Sequence, residues 1–151
     1  MTRRERAEAN FRAGYNCAQS VALAFDDLVP MDRALLARMA SPLGGGMGRL
    51  REVCGAVSGM LLVLGALYGY DAPGEDAKKA ALYAQVQALA LAFEQRHGSI
   101  VCRELLGIED RRQPPTPTPR TADFYEKRPC GRFIGDAAAL LEAYIAEHPP
   151  A

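Results

Sequence analysis

An uncharged stretch of 18 residues, Val53 to Tyr70, constrains the fold of this chain more than any other feature. A stretch of this length is long enough to cross a membrane as a helix. It is only moderately apolar, however, because it contains four glycines, a cysteine, a serine and two tyrosines. A helix that is hydrophobic on every side is also what the centre of a helical bundle requires. We therefore predict a buried central helix and no association with a membrane.

The rest of the chain also favours helices. Alanine and leucine dominate the apolar residues and β-branched residues are scarce, a mixture typical of helix rather than sheet. Further helices are predicted at residues 2–13, 17–28, 31–40, 75–96 and 131–146, and a short one around Cys102. A chain of 151 residues suits one domain. The sequence thus predicts an all-α, single-domain bundle of five to seven helices over residues 1–151.

Two segments interrupt this helical pattern. Residues 41–48, SPLGGGMG, form a glycine-rich loop directly before the central helix. Residues 111–120, RRQPPTPTPR, are too rich in proline for a helix and predict an extended loop at about 111–122. Within the central helix, Gly55 and Gly59 lie on one face. Their small size would let another helix approach closely.

Charge excludes some functions. The chain carries 18 basic and 18 acidic residues, so its net charge is zero and no excess of basic charge indicates binding to nucleic acid. The N-terminal residues MTRRERAEANF lack the apolar core of a secretory signal, so we expect a cytoplasmic protein. In that reducing compartment, cysteines are more often catalytic or metal-binding than joined in disulfides.

The four cysteines, Cys17, Cys54, Cys102 and Cys130, are far apart in the sequence, but each lies at or near the start of a predicted helix. The unpaired N–H groups and positive dipole of a helix N-terminus stabilise thiolates. Four such ends meeting in one bundle would form a site for redox exchange, for zinc or for an iron–sulfur cluster. From these residues alone, inert burial explains the cysteines equally well, and structural disulfides explain them less well.

Other candidate residues surround the cysteines. Arg49, Arg51, Arg103 and Arg132 lie near three of the cysteines in sequence and would add positive potential. His97 is expected to cap the C-terminus of a helix at the surface rather than to act as a ligand or base. Cys54 follows the glycine loop and precedes the long central helix. We therefore expect its thiol to be the most reactive one.

A family resemblance adds to this picture. The segment Cys54-Gly55-Ala56-Val57-Ser58-Gly59 fits a C-G-A-x-x-G motif, with one cysteine before it and two after it. With Asn16-Cys17-Ala18-Gln19, the glycine loop and Cys102-Arg103-Glu104-Leu105-Leu106-Gly107, the chain resembles the C_GCAxxG_C_C family of redox-active proteins over most of its length. The resemblance implies that all four cysteines belong to one redox site, but it does not specify the reaction.

We therefore expect a redox-active protein that uses Cys17, Cys54, Cys102 and Cys130, either in thiol–disulfide exchange or as ligands of an iron–sulfur cluster in electron transfer. The alternative is a non-enzymatic zinc-binding or metal-sensing module with the same four ligands. The partner would be a redox protein or a small thiol. The many small residues also make a homodimer a reasonable expectation.

Overall fold

The computed structural model describes residues 1–109 and 113–151. In these residues it contains eight α-helices of five residues or more, which confirms the all-α prediction and exceeds the expected number by one. They are α1 (Arg3–Arg12), α2 (Cys17–Leu23), α3 (Arg33–Ala40), α4 (Gly55–Tyr68), α5 (Asp76–His97), α6 (Cys102–Leu106), α7 (Ala122–Lys127) and α8 (Cys130–Glu147). The described residues include no strand, only an isolated antiparallel bridge between Val53 and Val101.

Helix α2 starts at a capping box. The Asn16 side chain accepts a hydrogen bond from the Gln19 backbone, and the Gln19 side chain accepts one from the Asn16 backbone. This reciprocal pair satisfies two N–H groups that a helix start otherwise leaves without partners. The cap therefore fixes Cys17 as the first residue of the helix. The helix ends at Leu23, five residues earlier than predicted, because the chain continues in hydrogen-bonded turns.

Helix α4 is the predicted central helix, and it packs closely on α2. A Cβ atom added at Gly59 would lie 2.4 Å from the Ala18 carbonyl oxygen, and one at Gly55 would lie 2.9 Å from the Cys17 Cβ atom. Both glycines therefore face α2, and their lack of a side chain permits the close approach that the spacing predicted. Among the described residues, no helix is long and apolar enough to cross a membrane.

The apolar core lies between α1, α2, α4 and α8, and α5 covers one side of it. Its largest fully buried side chains include Phe25, Phe93, Leu23, Leu36, Met60, Leu64, Ile134 and Leu141. The His97 side chain is only 5% exposed, and its Nε2 atom lies 2.9 Å from Asp136 Oδ2. The expectation of a surface cap at His97 was therefore wrong, because Phe93 and Phe133 enclose its ring.

The glycine-rich segment folds as a 3-10 turn at Ser41–Leu43 followed by one tight turn at Gly44–Met47. Gly45, Gly46 and Met47 have positive φ angles, so this turn is not a continuation of a right-handed helix. The predicted Pro-rich loop falls partly on residues 111 and 112, which lie outside the described residues. Residues 113–121 form no helix, whereas α7 begins at Ala122, where the sequence predicted none.

Candidate functional site

All four cysteines line a single cavity of about 330 Å³. Cys54, Cys102 and Cys130 are buried, each no more than 8% exposed, and Cys17 is half-buried at the cavity wall. They come from four different helix starts. Cys17, Cys102 and Cys130 are the first residues of α2, α6 and α8, and Cys54 directly precedes α4. The fold therefore brings all four cysteines to the wall of the same cavity.

Backbone pairing holds Cys54 beside Cys102. The Cys54 N–H donates to the Ile100 carbonyl at 2.7 Å, and the Cys102 N–H donates to the Glu52 carbonyl, on either side of the bridge between Val53 and Val101. The segments before α4 and before α6 are thereby fixed to each other. Cys54 and Cys102 are distant in the sequence, but these main-chain hydrogen bonds hold them next to each other. The bonds do not depend on the cysteine side chains.

The glycine-rich turn reaches the same cavity. A Cβ atom added at Gly46 would lie 2.7 Å from the Cys102 Cβ atom and 2.8 Å from the Arg51 Cα atom. The φ angle of Gly46 is also +67°, a conformation that is unfavourable for residues with a side chain. Glycine is therefore required here for two reasons, and the turn forms a wall of the cysteine site.

Burial makes Cys54 a weak acid. Desolvation raises the pKa of the Cys54 thiol to about 12, and the N–H groups of Ala56 and Val57 at the start of α4 oppose this effect only in part. The sequence argument considered only the helix N-terminus and therefore expected the opposite direction. The expectation that Cys54 is the most reactive thiol was based on that direction, and the electrostatics of the site do not support it.

Cys130 is the most acidic thiol of the site. Hydrogen bonding with the Cys17 thiol is the main cause that lowers the pKa of Cys130 to about 7, and Arg128 and Arg51 lower it further against the effect of burial. The same interaction, together with burial, raises the pKa of Cys17 well above its ordinary value. Within this pair, the interaction therefore favours ionisation of Cys130 over ionisation of Cys17.

Arg51 is a buried cation inside this site. Arg51 is only 3% exposed. Its Nη1 atom donates to Cys102 Sγ at 3.6 Å, and its Nε atom donates to Gln113 Oε1 at 2.9 Å. Burial raises the pKa of Cys102, and the hydrogen bond from Arg51 opposes that rise. A buried guanidinium is costly without negative charge nearby. Arg51 therefore favours thiolate formation in the cavity.

The other arginines expected near the cysteines divide into two groups. Arg49 lines the cavity, where it donates to the Pro114 carbonyl and to Thr118 Oγ1. Arg103 pairs instead with Glu52 at 3.0 Å, and Arg132 lines a separate surface cleft. The sequence analysis missed Arg120 and Arg128, which also line the cavity. The position of Arg128, two residues before Cys130, was the only sequence signal available for either of them.

The unequal acidity of the thiols gives a testable pH profile. Because its pKa is lowered to about 7, the Cys130 thiol is mostly ionised above that pH. The Cys54 thiol, whose pKa is about 12, stays mostly protonated below pH 12. We expect iodoacetamide to modify Cys130 first, with a rate that rises through pH 7 and then levels off. Peptide mass spectrometry of protein quenched between pH 5 and pH 10 measures this rate for each thiol. Modification of Cys54 before Cys130 would contradict the assignment.

The donor set of the cavity has the chemistry that zinc and iron–sulfur clusters use, since both bind cysteine thiolates. Within residues 1–109 and 113–151, no group of three or more His, Cys, Asp or Glu side chains is placed to hold a metal ion.

Comparison with known proteins gives one match. The model of the family described as "Putative redox-active protein (C_GCAxxG_C_C)" matches residues 15–144, a range that includes all four cysteines. No curated protein and no solved structure matches the chain.

Proposed function

The chain belongs to the C_GCAxxG_C_C family, and from that premise we propose that it is a thiol–disulfide redox protein whose reactive pair is Cys17 and Cys130. The observation that supports this proposal is that Cys17 and Cys130 line one cavity together with the buried Arg51. The interaction of the two thiols lowers the pKa of Cys130 and raises that of Cys17. Exchange of a disulfide requires a thiolate to attack and a second thiol to resolve the product. Cys130 supplies the first group and Cys17 the second.

The reaction proceeds in two steps. The Cys130 thiolate attacks one sulfur of a substrate disulfide, so that the substrate S–S bond breaks, a mixed disulfide forms and one substrate thiolate leaves. The Cys17 sulfur then attacks the Cys130 sulfur and forms a bond between Cys17 and Cys130. The second substrate sulfur takes the proton that Cys17 gives up and leaves as a thiol. The protein dithiol is oxidised, the substrate disulfide is reduced, and an external thiol reductant restores the dithiol.

The surroundings of the pair support this chemistry. Hydrogen bonding with Cys17, and then Arg128 and Arg51, lower the pKa of Cys130 to about 7, so a large share of the attacking group is ionised near neutral pH. A thiol with a pKa close to the ambient pH is the most effective nucleophile in thiol exchange. Cys54 remains protonated and is therefore suited to a supporting place in the cavity rather than to the attack.

Disulfide mapping tests this proposal. Reduced protein is titrated with an oxidising redox buffer, quenched with acid and alkylated, and the peptides that contain Cys17 and Cys130 are identified by mass spectrometry. We expect a disulfide between these two cysteines to form reversibly and before any other. If the first disulfide joined Cys54 to Cys102, or if oxidation gave only intermolecular products, the assignment of the pair would be wrong.

Metal binding by the four cysteines is the second candidate, because all four thiols line one cavity. As described, these side chains are not placed to hold a metal ion, so this candidate requires them to move closer together. In that case Cys17, Cys54, Cys102 and Cys130 would hold either zinc or an iron–sulfur cluster, and the cluster would supply one-electron transfer. Metal analysis of protein purified without oxygen separates the candidates. Stoichiometric iron with visible absorption indicates a cluster, stoichiometric zinc in colourless protein indicates a binding module, and metal-free protein with four titratable thiols supports thiol exchange.

A further inference from the structure

The wall of the cysteine cavity is strongly basic. It contains four arginines, Arg49, Arg51, Arg120 and Arg128, and among the residues described there it contains no aspartate, glutamate or lysine. The whole chain has equal numbers of basic and acidic residues. The cavity wall is therefore much more positive than the chain as a whole.

Within the described residues, these arginines also lack the carboxylate partners that other arginines of the chain have. Arg3 pairs with Asp27, Arg4 with Asp136 and Arg33 with Asp26, each with an N–O distance below 3 Å. None of the four cavity arginines has a carboxylate within 4 Å in the described part of the chain. A single thiolate on Cys130 would leave most of their charge unbalanced. The cavity therefore favours an anionic ligand.

Arg120 is held rigidly at the wall. Its Nη1 atom donates to the Phe11 carbonyl at 3.1 Å and its Nη2 atom donates to the Tyr15 carbonyl at 3.0 Å. Its guanidinium also lies 4.6 Å from the Phe11 ring centroid and 4.9 Å from that of Phe124. These contacts fix the direction of the cation but do not neutralise it. Its charge is therefore available to a ligand in the cavity.

The cavity size and its apolar side chains limit the ligand further. A volume of about 330 Å³ accepts a small molecule. Phe11, Phe124, Phe133, Leu105 and Leu106 supply apolar surface for a short carbon chain. A small disulfide whose carbon chains end in acidic groups would place its negative charge near the arginines and its sulfur atoms near Cys130.

We propose that this cavity selects small disulfides that carry carboxylates or other negative groups, because its four arginines have no carboxylate partner among the described residues and line the same cavity as the reactive thiols. The inference builds on the proposed thiol exchange and names the substrate class for that same site. Its electron balance is that of the exchange above, in which the anionic disulfide is reduced to two thiols as the bond between Cys17 and Cys130 forms.

The test uses three small disulfides of similar size and different charge: 3,3'-dithiodipropionate, which is anionic, 2-hydroxyethyl disulfide, which is neutral, and cystamine, which is cationic. The rate at which each one oxidises the reduced full-length protein is measured at pH 7 in low salt and in 0.5 M salt. Each rate is divided by the rate of the same disulfide with 2-mercaptoethanol, an uncharged thiol. This normalisation removes differences in intrinsic reactivity.

We expect the normalised rate to be highest for the anionic disulfide and lowest for the cationic one, with a ratio on the order of tenfold or more in low salt that shrinks in high salt. Arg120→Gln should reduce this ratio severalfold. Arg38→Gln removes the same charge from an exposed residue of α3 and serves as the matched control, for which the ratio should not change. If Arg120→Gln does not fold, Arg49→Gln replaces it.

The outcomes distinguish the inference from the function on which it is based. Equal normalised rates for the three disulfides, or a ratio that does not respond to salt, would overturn the charge selection and leave the thiol exchange in place. If none of the three disulfides produced a bond between Cys17 and Cys130, the proposed exchange itself would fail, and the substrate class would fail with it.

Discussion

Replacing Cys130 with serine is expected to remove the fast phase of thiol modification at pH 7 and to prevent the intramolecular disulfide. The physical reason is that Cys130 is the thiol whose pKa Cys17, Arg128 and Arg51 lower to about 7. A thiolate of low pKa is intrinsically a weaker nucleophile, but its larger ionised fraction outweighs this at neutral pH. We expect a loss of roughly tenfold or more in the rate of the fastest thiol. Stopped-flow reaction with a chromogenic disulfide measures it.

Two further variants make this result specific. Cys17→Ala removes the hydrogen bond that is the main cause of the lowered pKa, so the pH midpoint for modification of Cys130 should rise while its thiol stays present. Cys54→Ser tests the rival nucleophile. If the fast phase disappeared in Cys54→Ser and persisted in Cys130→Ser, Cys54 would be the attacking thiol and the present assignment would be wrong.

Gly59→Ala is expected to lower the free energy of unfolding by about 1–3 kcal/mol, the usual cost of forcing extra atoms into a packed interface. The new Cβ atom would lie 2.4 Å from the carbonyl oxygen of Ala18, a backbone atom that cannot rotate away. Helices α2 and α4 would therefore have to separate. Because Ala18 follows Cys17 in the chain, the same shift should slow formation of the disulfide with Cys130. Urea unfolding measures the first effect.

Gly65→Ala is the matched control in the same helix. A Cβ atom at Gly65 would meet no atom within 4 Å, so only the helix propensity of alanine acts there. This variant should be more stable than the native protein by up to about 1 kcal/mol. If the two variants changed stability in the same direction and by similar amounts, close packing of α2 on α4 would not explain the glycine at position 59.

The local features of this fold could be predicted from sequence. The sequence predicted that α2 starts at Cys17, and the structure confirms it, because the Asn16 cap that fixes this start acts only on its own neighbours. The spacing of Gly55 and Gly59 predicted the face on which α4 meets another helix, because helical periodicity alone determines that face. The sequence also predicted that a helix starts at or beside each cysteine, and the structure confirms this. Helix starts depend mainly on neighbouring residues, which the sequence shows directly.

Features that depend on distant contacts could not be predicted in this way. Arg120 enters the cavity because it bonds to the carbonyls of Phe11 and Tyr15, more than a hundred residues earlier, and no local pattern signals that return. The high pKa of Cys54 has a similar origin. Its position before a helix was visible in the sequence, but its burial depends on how several helices assemble, and burial has the larger effect.

The separation of Cys17 and Cys130 along the chain has a consequence for protein synthesis. Cys17 begins the second helix and Cys130 begins the last one. During translation, Cys17 therefore emerges long before Cys130. The interaction that lowers the pKa of Cys130 can form only after the last helix has been synthesised and has docked on the second.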